Sequence, residues 1–438
     1  MEHFQELAFQ EIDAKTIREI PLPDAMRAAV VEASDQKMFS DGAEKDVRRS
    51  IKIKEVPIPE LAPDEVLVAV MASAINFNTV WTALFEPIST FSFLRQLAKA
   101  GGYAERHDLP YHILGSDASG VIVKTGSSVQ RWSVGDEVVV HTAYIDCEDP
   151  MGQQDGMLTD DLRAWGYETN FGGLAEFAVV KSTQLMRKAA HLSWEEAACI
   201  PLCGATAYRM LVSQKGAAMK QGDVVLIWGT TGGLGAFAVQ LAVAGGAIPV
   251  GVVSSEEKVE LAYKLGCRAV INRSELKLAI KNGSLSTRSW RILRREIRSA
   301  VGEDPHIVFE YVGRATMGAS VYLARKGGKI VTCGSSSGFQ HEYDNRYLWM
   351  NLKSIVGSHG ANYQEAWECN RLVQLGMLLP TLSETYLLDQ AAEATYKVQS
   401  NEHSGKVGVL CLAQRPGEGI RDKQLRKRIG ETALNRFR

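Results

Sequence analysis

The chain has 438 residues, a formal net charge of −2 and hydrophobic residues at 45% of its positions. This length and apolar content predict two or three domains with sizeable cores. The near-neutral charge excludes a global electrostatic attraction to nucleic acid or membrane. No apolar run approaches the ~20 residues that span a bilayer, and the acidic, mixed N-terminus is unlike a signal peptide. Seven scattered cysteines suit reduced thiols, so we expect a cytoplasmic protein.

The predicted elements change character along the chain. Residues 1 to about 25 form an irregular or helical extension. From Met26, short strands interrupted by Pro and Gly predict an antiparallel, barrel-like domain. From about Gly204, strands alternate with helices, which predicts a doubly wound parallel sheet. The pattern predicts that the chain leaves that sheet after about Ala361 and that residues 405–412 form a last strand. In the charged tail it predicts a solvated helix at residues 421–428.

The most informative stretch is residues 223–240, in which an apolar run ends in a Gly-rich turn that opens into an Ala-rich helical pattern. Gly232 lets the backbone approach phosphates, and Gly235 lets the helix pack closely on the strand. The helix N-terminus supplies free N–H groups and a positive dipole. The sequence therefore predicts a dinucleotide-binding turn, whose candidate residues also include Thr230, Gly233 and Leu234.

The end of the next predicted strand indicates which dinucleotide binds. An NAD site usually has a carboxylate there, whereas this chain has Ser254 and Ser255, with Lys258 one turn into the following helix. Hydroxyls and an ammonium suit a 2′-phosphate, so we predict NADPH as the cofactor. Glu256 is the alternative NAD ligand, but it lies later than usual and beside a cation. Ser255 also suits a helix N-cap, which is compatible with either cofactor.

The order of domains, with residues 135–138, 204–208 and 405–409, resembles the medium-chain dehydrogenase/reductase superfamily. The resemblance implies an α/β fold in which a Rossmann-type, doubly wound parallel sheet domain is inserted in a GroES-like barrel catalytic domain. We divide the chain accordingly. Residues 1–204 form the extension and catalytic domain, residues 205–360 the NADP-binding domain, and residues 361–438 the return to the catalytic domain and the tail.

One departure from that superfamily concerns zinc. Members with catalytic zinc place a His where this chain has Ser116, and the cysteine-rich structural zinc lobe has no counterpart here. Without Cys and His ligands we expect no tetrahedral zinc site. Cys199 and Cys203 lie one helical turn apart, but no second ligand pair follows, so we interpret both as buried small side chains.

Three longer motifs narrow the resemblance. Residues 76–82 with 85–87, residues 165–177 and residues 357–363 together resemble crotonyl-CoA carboxylase/reductases. That family reduces a 2-enoyl-CoA with NADPH and traps the enolate with carbon dioxide. Matched motif by motif, the residues that hold carbon dioxide are Asn78, Tyr167 with Glu168, and His359.

The chemistry of these side chains fits such a role. The Asn78 amide and the His359 ring N–H are neutral donors suited to carbon dioxide oxygens as negative charge develops. Glu168 is better suited to accept from water or to orient Asn78 or His359, and Tyr167 to form a pocket wall. Taken singly, His359 also suits a structural histidine, Asn78 a cap for a helix beginning near Thr79, and Tyr167 ordinary packing.

Coenzyme A requires cations for its phosphates and a surface for adenine. The resemblance implies contacts from Arg346, Tyr347 and Lys326, with Tyr347 stacking on the base. A predicted basic helix at residues 288–298 is a further source of cations, although a solvated charged face explains it equally well.

Two small residues indicate the acyl chain. Family members specialised for the crotonyl chain have a bulky aliphatic residue and an aromatic residue where this chain has Ala164 and Gly360. Because interiors leave few voids, these small residues predict a medium-chain or bulkier 2-enoyl-CoA. The product is a 2-alkylmalonyl-CoA, which the resemblance associates with polyketide extender-unit supply. The alternative is that neighbouring side chains refill the space and crotonyl-CoA remains preferred.

The sequence is compatible with two rival functions. A simple NADPH-dependent enoyl-CoA or quinone reductase needs a proton source, and residues 76–82 lack the Tyr that related reductases use, which favours carboxylation. A cofactor-binding protein without catalytic role predicts no CoA-ester affinity, against which Arg346 and Tyr347 argue. The resemblance also suggests a homotetramer arranged as a dimer of dimers.

Overall fold

The structure, a computed structural model, describes residues 1–40 and 42–438. The N-terminal part consists mainly of short strands. Its strands are β1 (Ala25–Glu32), β2 (Lys52–Pro57), β3 (Glu65–Ala74), β4 (Tyr111–Ile113), β5 (Ala118–Thr125), β6 (Glu137–Val140), β7 (Ala143–Tyr144), β8 (Arg163–Ala164), β9 (Phe177–Lys181) and β10 (Leu185–Arg187). Its α-helices are α1 (Glu2–Glu6), α2 (Ala14–Glu19), α3 (Phe77–Leu84), α4 (Phe91–Ala98), α5 (Pro150–Gln154), α6 (Trp194–Ala198) and α7 (Pro201–Leu211), and its 3₁₀ helices are Ala33–Asp35, Val47–Arg49, Gly102–His107, Gly156–Leu158 and Ser182–Gln184.

Strands and helices then alternate. The strands are β11 (Val224–Trp228), β12 (Ile248–Val253), β13 (Ala269–Asn272), β14 (Ile280–Lys281), β15 (Ser284–Leu285), β16 (Ile307–Glu310), β17 (Lys329–Thr332) and β18 (Ser354–Gly357). The helices are α8 (Gly233–Ala244), α9 (Glu256–Leu265), α10 (Thr287–Val301), α11 (Met317–Leu323) and α12 (Asn345–Trp349). The last part contains α13 (Tyr363–Gln374), β19 (Leu382–Leu387), the 3₁₀ helix Leu388–Gln390, α14 (Ala391–Gln399), β20 (Lys406–Leu410), α15 (Lys423–Ile429) and α16 (Glu431–Leu434).

Six of these strands form a parallel sheet in the order β13-β12-β11-β16-β17-β18. The strand order reverses direction beside β11, and ligands of such sheets bind outside the carboxyl ends of the strands at this point. β11 is buried along its whole length, and its side chains alternate between the two cores that flank the sheet. The predicted Rossmann-type sheet is therefore confirmed.

The chain returns to the N-terminal domain through β20, which pairs antiparallel with β3 and parallel with β19. These strands complete a seven-stranded sheet ordered β10-β6-β5-β3-β20-β19, with β9 also paired to β3, next to a sheet ordered β2-β1-β4. The parallel sheet is thus inserted in the barrel-like domain, as the resemblance implies. Helix α13 packs mainly against α7.

The predicted solvated helix of the tail is wrong in one respect. Helix α15 docks on the catalytic domain, and the Arg426 side chain is 11% exposed. Its guanidinium donates to the buried carboxylate of Glu196 at 2.7 Å and to the carbonyl of His191 at 3.1 Å. The buried side chains of Leu434 and Phe437 fix the chain end further. The density of charges in this segment predicts a solvated face, but an arginine that pairs with a buried carboxylate does not face solvent.

Across the described ranges, no helix has the length and apolar character needed to cross a membrane. All seven cysteines are free thiols within the same residues, and Cys199 and Cys203 are buried, as predicted.

Buried histidines make the stability of this fold sensitive to acid. Burial lowers the pKa of His107 to about 3 and those of His112 and His141 to about 4, against about 6.5 in an unfolded chain. Below pH 6.5 the unfolded chain takes up protons that the folded chain refuses, so the free energy of unfolding falls as the pH drops towards 4.

We expect each of these histidines to lower the free energy of unfolding by about 1.4 kcal/mol at pH 5.5 relative to pH 7.5. Urea denaturation at the two pH values measures this. The His112→Gln variant should reduce the difference in the free energy of unfolding by about 1.4 kcal/mol. An equal free energy of unfolding at both pH values would contradict the assignment.

Candidate functional site

A cavity of about 680 Å³ lies between the two domains. Its wall includes the Gly-rich turn after β11 on one side and the N-terminus of α3 and the β8 turn on the other. A volume of this size is typical of ligand sites, which often lie between domains and at the reversal point of a parallel sheet.

The dinucleotide-binding turn has the predicted geometry. Helix α8 begins at Gly233 and its N-cap is Gly232, so no side chain closes its free N–H groups. A Cβ at Gly235 would collide with the carbonyl oxygen of Gly229, which explains why the helix packs so near the strand only with glycine at this position. Gly232, Gly233 and Leu234 line the cavity. This arrangement fits a pyrophosphate at the helix N-terminus.

Thr230 lines the same cavity, but its hydroxyl is committed to the protein. The Oγ1 atom donates to the carbonyl of Ile227 at 2.9 Å and lies 3.2 Å from that of Val252. Thr230 therefore joins β11 to β12 and holds the turn in place.

The ends of β12 and β13 supply the polar groups expected near a 2′-phosphate. Ser254 and Lys258 line the cavity. Ser255 is the N-cap of α9 but makes no side-chain cap bond, and Glu256 is exposed in the first turn. Arg273, which the sequence analysis missed, follows β13, donates its backbone N–H to the carbonyl of Val253 at 3.0 Å and lines the cavity.

Asn78 lies in the first turn of α3, whose N-cap is Asn76. The alternative that Asn78 caps this helix is therefore wrong. Its amide Nδ2 donates to the Ser116 hydroxyl at 2.8 Å, so the residue at the zinc-ligand position of related enzymes here orients an amide. The Asn78 Oδ1 atom is buried and has no partner in the part of the chain that the structure describes.

Tyr167 and Glu168 lie on the turn after β8. The Tyr167 ring lines the cavity and packs against Trp81 and Phe93, with ring centroids 6.5 and 6.0 Å apart. The Glu168 carboxylate instead accepts the backbone N–H of Ala164 at 2.8 Å. No hydrogen bond joins Glu168 to Asn78 or His359 among residues 1–40 and 42–438, so its observed effect is to fix the turn that carries Ala164.

His359 and Gly360 lie on the loop between β18 and α13, and both line the cavity. The loop is held at each end, because Ser358 N–H donates to the carbonyl of Thr332 at 2.8 Å and Asn362 caps α13 through Glu365 N–H at 2.8 Å.

The space beside Ala164 and Gly360 is shared with Met157. Both small residues line the cavity, and a Cβ at Gly360 would lie 3.2 Å from the Met157 Cε. A flexible thioether side chain thus borders the gap, and methionine yields to a ligand more readily than a rigid side chain does.

The predicted CoA residues lie outside this cavity. The Arg346 guanidinium pairs with Asp344 at 2.6 Å and is 74% exposed. The Tyr347 ring packs edge-on against Tyr322 at 4.9 Å. Lys326 is exposed just before β17, at the amino ends of the parallel strands and not at the carboxyl ends where the turn lies. Their role in CoA binding stays a prediction, and Arg163 is a cation that does line the cavity.

Lys406, another residue that the sequence analysis missed, is buried in the cavity wall. Its ammonium donates to the carbonyl of Ile75 at 2.8 Å, to Asn76 Oδ1 at 2.6 Å and to Asp117 Oδ2 at 3.1 Å. Burial raises the pKa of Asp117, and the Lys406 charge opposes that shift. The other carboxylate oxygen accepts from Leu202 N–H at 2.9 Å.

Within the described residues, no group of three or more His, Cys, Asp or Glu side chains is arranged to hold a metal ion. The fold and the glycine turn together define a nucleotide-dependent oxidoreductase of the medium-chain dehydrogenase/reductase superfamily. A family model described as alcohol dehydrogenase GroES-like domain matches residues 62–190, and one described as zinc-binding dehydrogenase matches residues 233–375.

Individual relatives define the family within that superfamily. A crotonyl-CoA reductase of Streptomyces collinus is 53% identical over 424 residues, which cover 96% of this chain and 95% of the relative. A crotonyl-CoA carboxylase/reductase of Cereibacter sphaeroides is 39% identical over 84% of this chain and 85% of the relative. The solved 2-octenoyl-CoA carboxylase reductase CinF, in complex with NADP and 2-octenoyl-CoA, superimposes with a TM-score of 0.96 at 54% identity, covering 99% and 98% of the two chains. The chain belongs to the crotonyl-CoA carboxylase/reductase family.

The cations beside Ser254 should determine coenzyme preference. We expect Lys258→Ala and Arg273→Ala each to raise KM for NADPH about tenfold and to change KM for NADH less than twofold, because NADH lacks the 2′-phosphate that we predict each cation to contact. Steady-state kinetics with both coenzymes measure this. Lys264→Ala, on the same helix but paired with Glu260, is the matched control, and parallel losses with both coenzymes would refute the assignment.

Proposed function

We propose that this protein reduces a medium-chain or bulky 2-enoyl-CoA with NADPH and carboxylates the resulting enolate with carbon dioxide, giving a 2-alkylmalonyl-CoA for polyketide extender-unit supply. The observation that carries the proposal is one cavity lined by both the dinucleotide-binding turn and the motif residues Asn78, Tyr167 and His359. The similarity to an enzyme solved with NADP and 2-octenoyl-CoA supports it. A reductase without carboxylation is less favoured. A human quinone oxidoreductase matches at only 26% identity, whereas the 2-octenoyl-CoA carboxylase reductase matches at 54%.

When bound, NADPH supplies the hydride that is added to the β-carbon of the thioester, which leaves an enolate at the α-carbon. Attack of the α-carbon on carbon dioxide forms a C–C bond and a carboxylate without any proton. In this proposal the Asn78 amide and the His359 ring donate N–H groups to the carbon dioxide oxygens as charge develops. Tyr167 forms a wall of the pocket, and Glu168 acts indirectly by holding the turn of Ala164.

Carboxylation must outcompete protonation of the enolate, and several groups in the cavity wall are poor acids. Burial raises the pKa of Tyr167 and of Cys333 to about 12, and it raises those of Cys203 and Tyr311 above their usual ranges. The Tyr311 hydroxyl is also committed to the carbonyl of Gly229 at 2.8 Å. Such weak acids slow the competing proton transfer, and the Tyr311 hydroxyl already donates elsewhere.

We also propose a homotetramer, a dimer of dimers, in the cytoplasm. The exposed side chains of Trp349, Met350 and Leu352 lie just before the edge strand β18, where an apolar patch and unpaired backbone groups favour association. Seven free thiols support a reducing compartment.

The division into domains at residues 1–204, 205–360 and 361–438 likewise stays a proposal.

The first experiment is mass analysis of the products from trans-2-octenoyl-CoA, NADPH and ¹³C-bicarbonate. We expect labelled 2-hexylmalonyl-CoA as the main product, because the enolate is trapped before it is protonated. Boiled enzyme and bicarbonate-free reactions are the controls. Unlabelled octanoyl-CoA as the sole product in saturating bicarbonate would reduce the activity to that of a plain enoyl-CoA reductase.

The acyl pocket is tested by Gly360→Phe with Gly360→Ala as its control. Gly360 has φ +50°, so both variants carry the same backbone strain and differ only in the ring. We expect Gly360→Phe to lower the ratio of kcat/KM for 2-octenoyl-CoA over crotonyl-CoA by about 200-fold relative to Gly360→Ala. Four further methylenes lose burial at about 0.8 kcal/mol each. An unchanged ratio would show that the chain does not use this space.

A further inference from the structure

We propose that His141 and Thr142 form a junction that positions all three motif segments around the enolate, and that His141 is a positioning residue for the His359 loop. This inference rests on the proposed carboxylation. Both residues follow β6 and line the cavity, although neither belongs to any motif that defines the family resemblance.

The His141 ring holds the His359 loop. The side chain is buried, and its Nε2 atom lies 2.8 Å from the carbonyl oxygen of Ala361. A carbonyl only accepts, so Nε2 carries the proton and Nδ1 a lone pair. Because burial lowers the pKa of His141 to about 4, the ring is neutral at pH 7. The bond fixes the end of the loop opposite Ser358, which is bound to the parallel sheet.

Thr142 holds the other two segments. Its hydroxyl donates to the carbonyl of Ser116 at 2.9 Å, and the Ser116 hydroxyl in turn accepts the Asn78 amide. Its carbonyl accepts the backbone N–H of Trp165 at 2.8 Å, at the start of the turn that carries Tyr167. Two consecutive residues therefore connect to each of the three segments by one or two hydrogen bonds.

The junction is itself rigidly held. The backbone N–H of His141 donates to the carbonyl of Gln184 at 2.7 Å, and the Gln184 amide donates to the carbonyl of His141 at 2.9 Å. Gln184 is fully buried. Because a near-attack geometry tolerates little misplacement, such a support controls how often carbon dioxide intercepts the enolate.

A second observation at the junction concerns the His141 Nδ1 atom. It is buried and finds no hydrogen-bond partner among the residues that the structure describes. An acceptor of this kind in a cavity wall suits an ordered water or an N–H group of the substrate, and it offers no proton to the enolate.

The test compares His141→Leu, which removes the bond to Ala361, with His141→Gln, whose amide restores a donor. The readout is the ratio of saturated acyl-CoA to carboxylated product from trans-2-octenoyl-CoA in saturating ¹³C-bicarbonate. We expect His141→Leu to raise this ratio about tenfold, because one hydrogen bond to the loop is lost. In His141→Gln the ratio should fall back close to the wild-type value, because the amide restores that bond. His191→Leu, a buried histidine outside the cavity, should keep the wild-type ratio.

Folding is checked by thermal melting, and Thr142→Val with Thr142→Ser provides the second pair. Valine keeps the shape and loses the donor to Ser116, so the ratio should rise, and serine should restore it. If His141→Leu does not fold, the Gln variant and the Thr142 pair decide. Wild-type ratios in folded His141→Leu and Thr142→Val would overturn the junction, whereas a wild-type enzyme that forms no carboxylated product would overturn the proposed function and this inference with it.

Discussion

One short contact between the two domains lies at the start of β20, beside the reaction centre. Gly405 donates its backbone N–H to the carbonyl of Thr231 in the dinucleotide-binding turn at 2.7 Å. The next residue, Lys406, directs all three of its N–H groups to Ile75, Asn76 and Asp117 in the catalytic domain. One dipeptide at the start of β20 thereby fixes the distance between the cofactor turn and the N-terminus of α3.

The burial of the ion pair between Lys406 and Asp117 affects both proton transfer and stability. An ammonium whose three protons all have acceptors is a poor proton donor to a nearby enolate, and a buried carboxylate that accepts several hydrogen bonds holds its neighbours in place. Removing one partner would leave an uncompensated charge in the interior, which typically costs about 3–5 kcal/mol. Asp117 also lies beside Ser116, so the same pair supports the hydroxyl that orients Asn78.

Local pattern was enough to predict the elements that repeat a general rule. The apolar run before Gly232 and the small residues after it predict strand, turn and helix, because phosphate binding imposes those residue types at fixed spacing. Asn78, Tyr167 and His359 were placed in one cavity through motif resemblance. His141, Lys406, Arg273 and Met157 were missed because each acts through a contact made only in the folded chain. Lys406 stands 330 positions from Asn76 along the chain, and no periodicity records such a pair.

In the proposed acyl pocket, selectivity belongs to the assembled molecule and to neither domain alone. Ala164 comes from β8 of the catalytic domain and Gly360 from the loop after β18 of the parallel sheet. The two small residues enlarge the same space only while the domains keep their relative position. A rigid wall at either position would close it, whereas the flexible Met157 side chain beside Gly360 leaves a space that different acyl chains can fill. The contact that sets the dinucleotide-binding turn near Asn78 therefore also fixes the width of the proposed acyl pocket. Under the proposed function, chain-length selectivity and the fate of the enolate depend on one interdomain geometry.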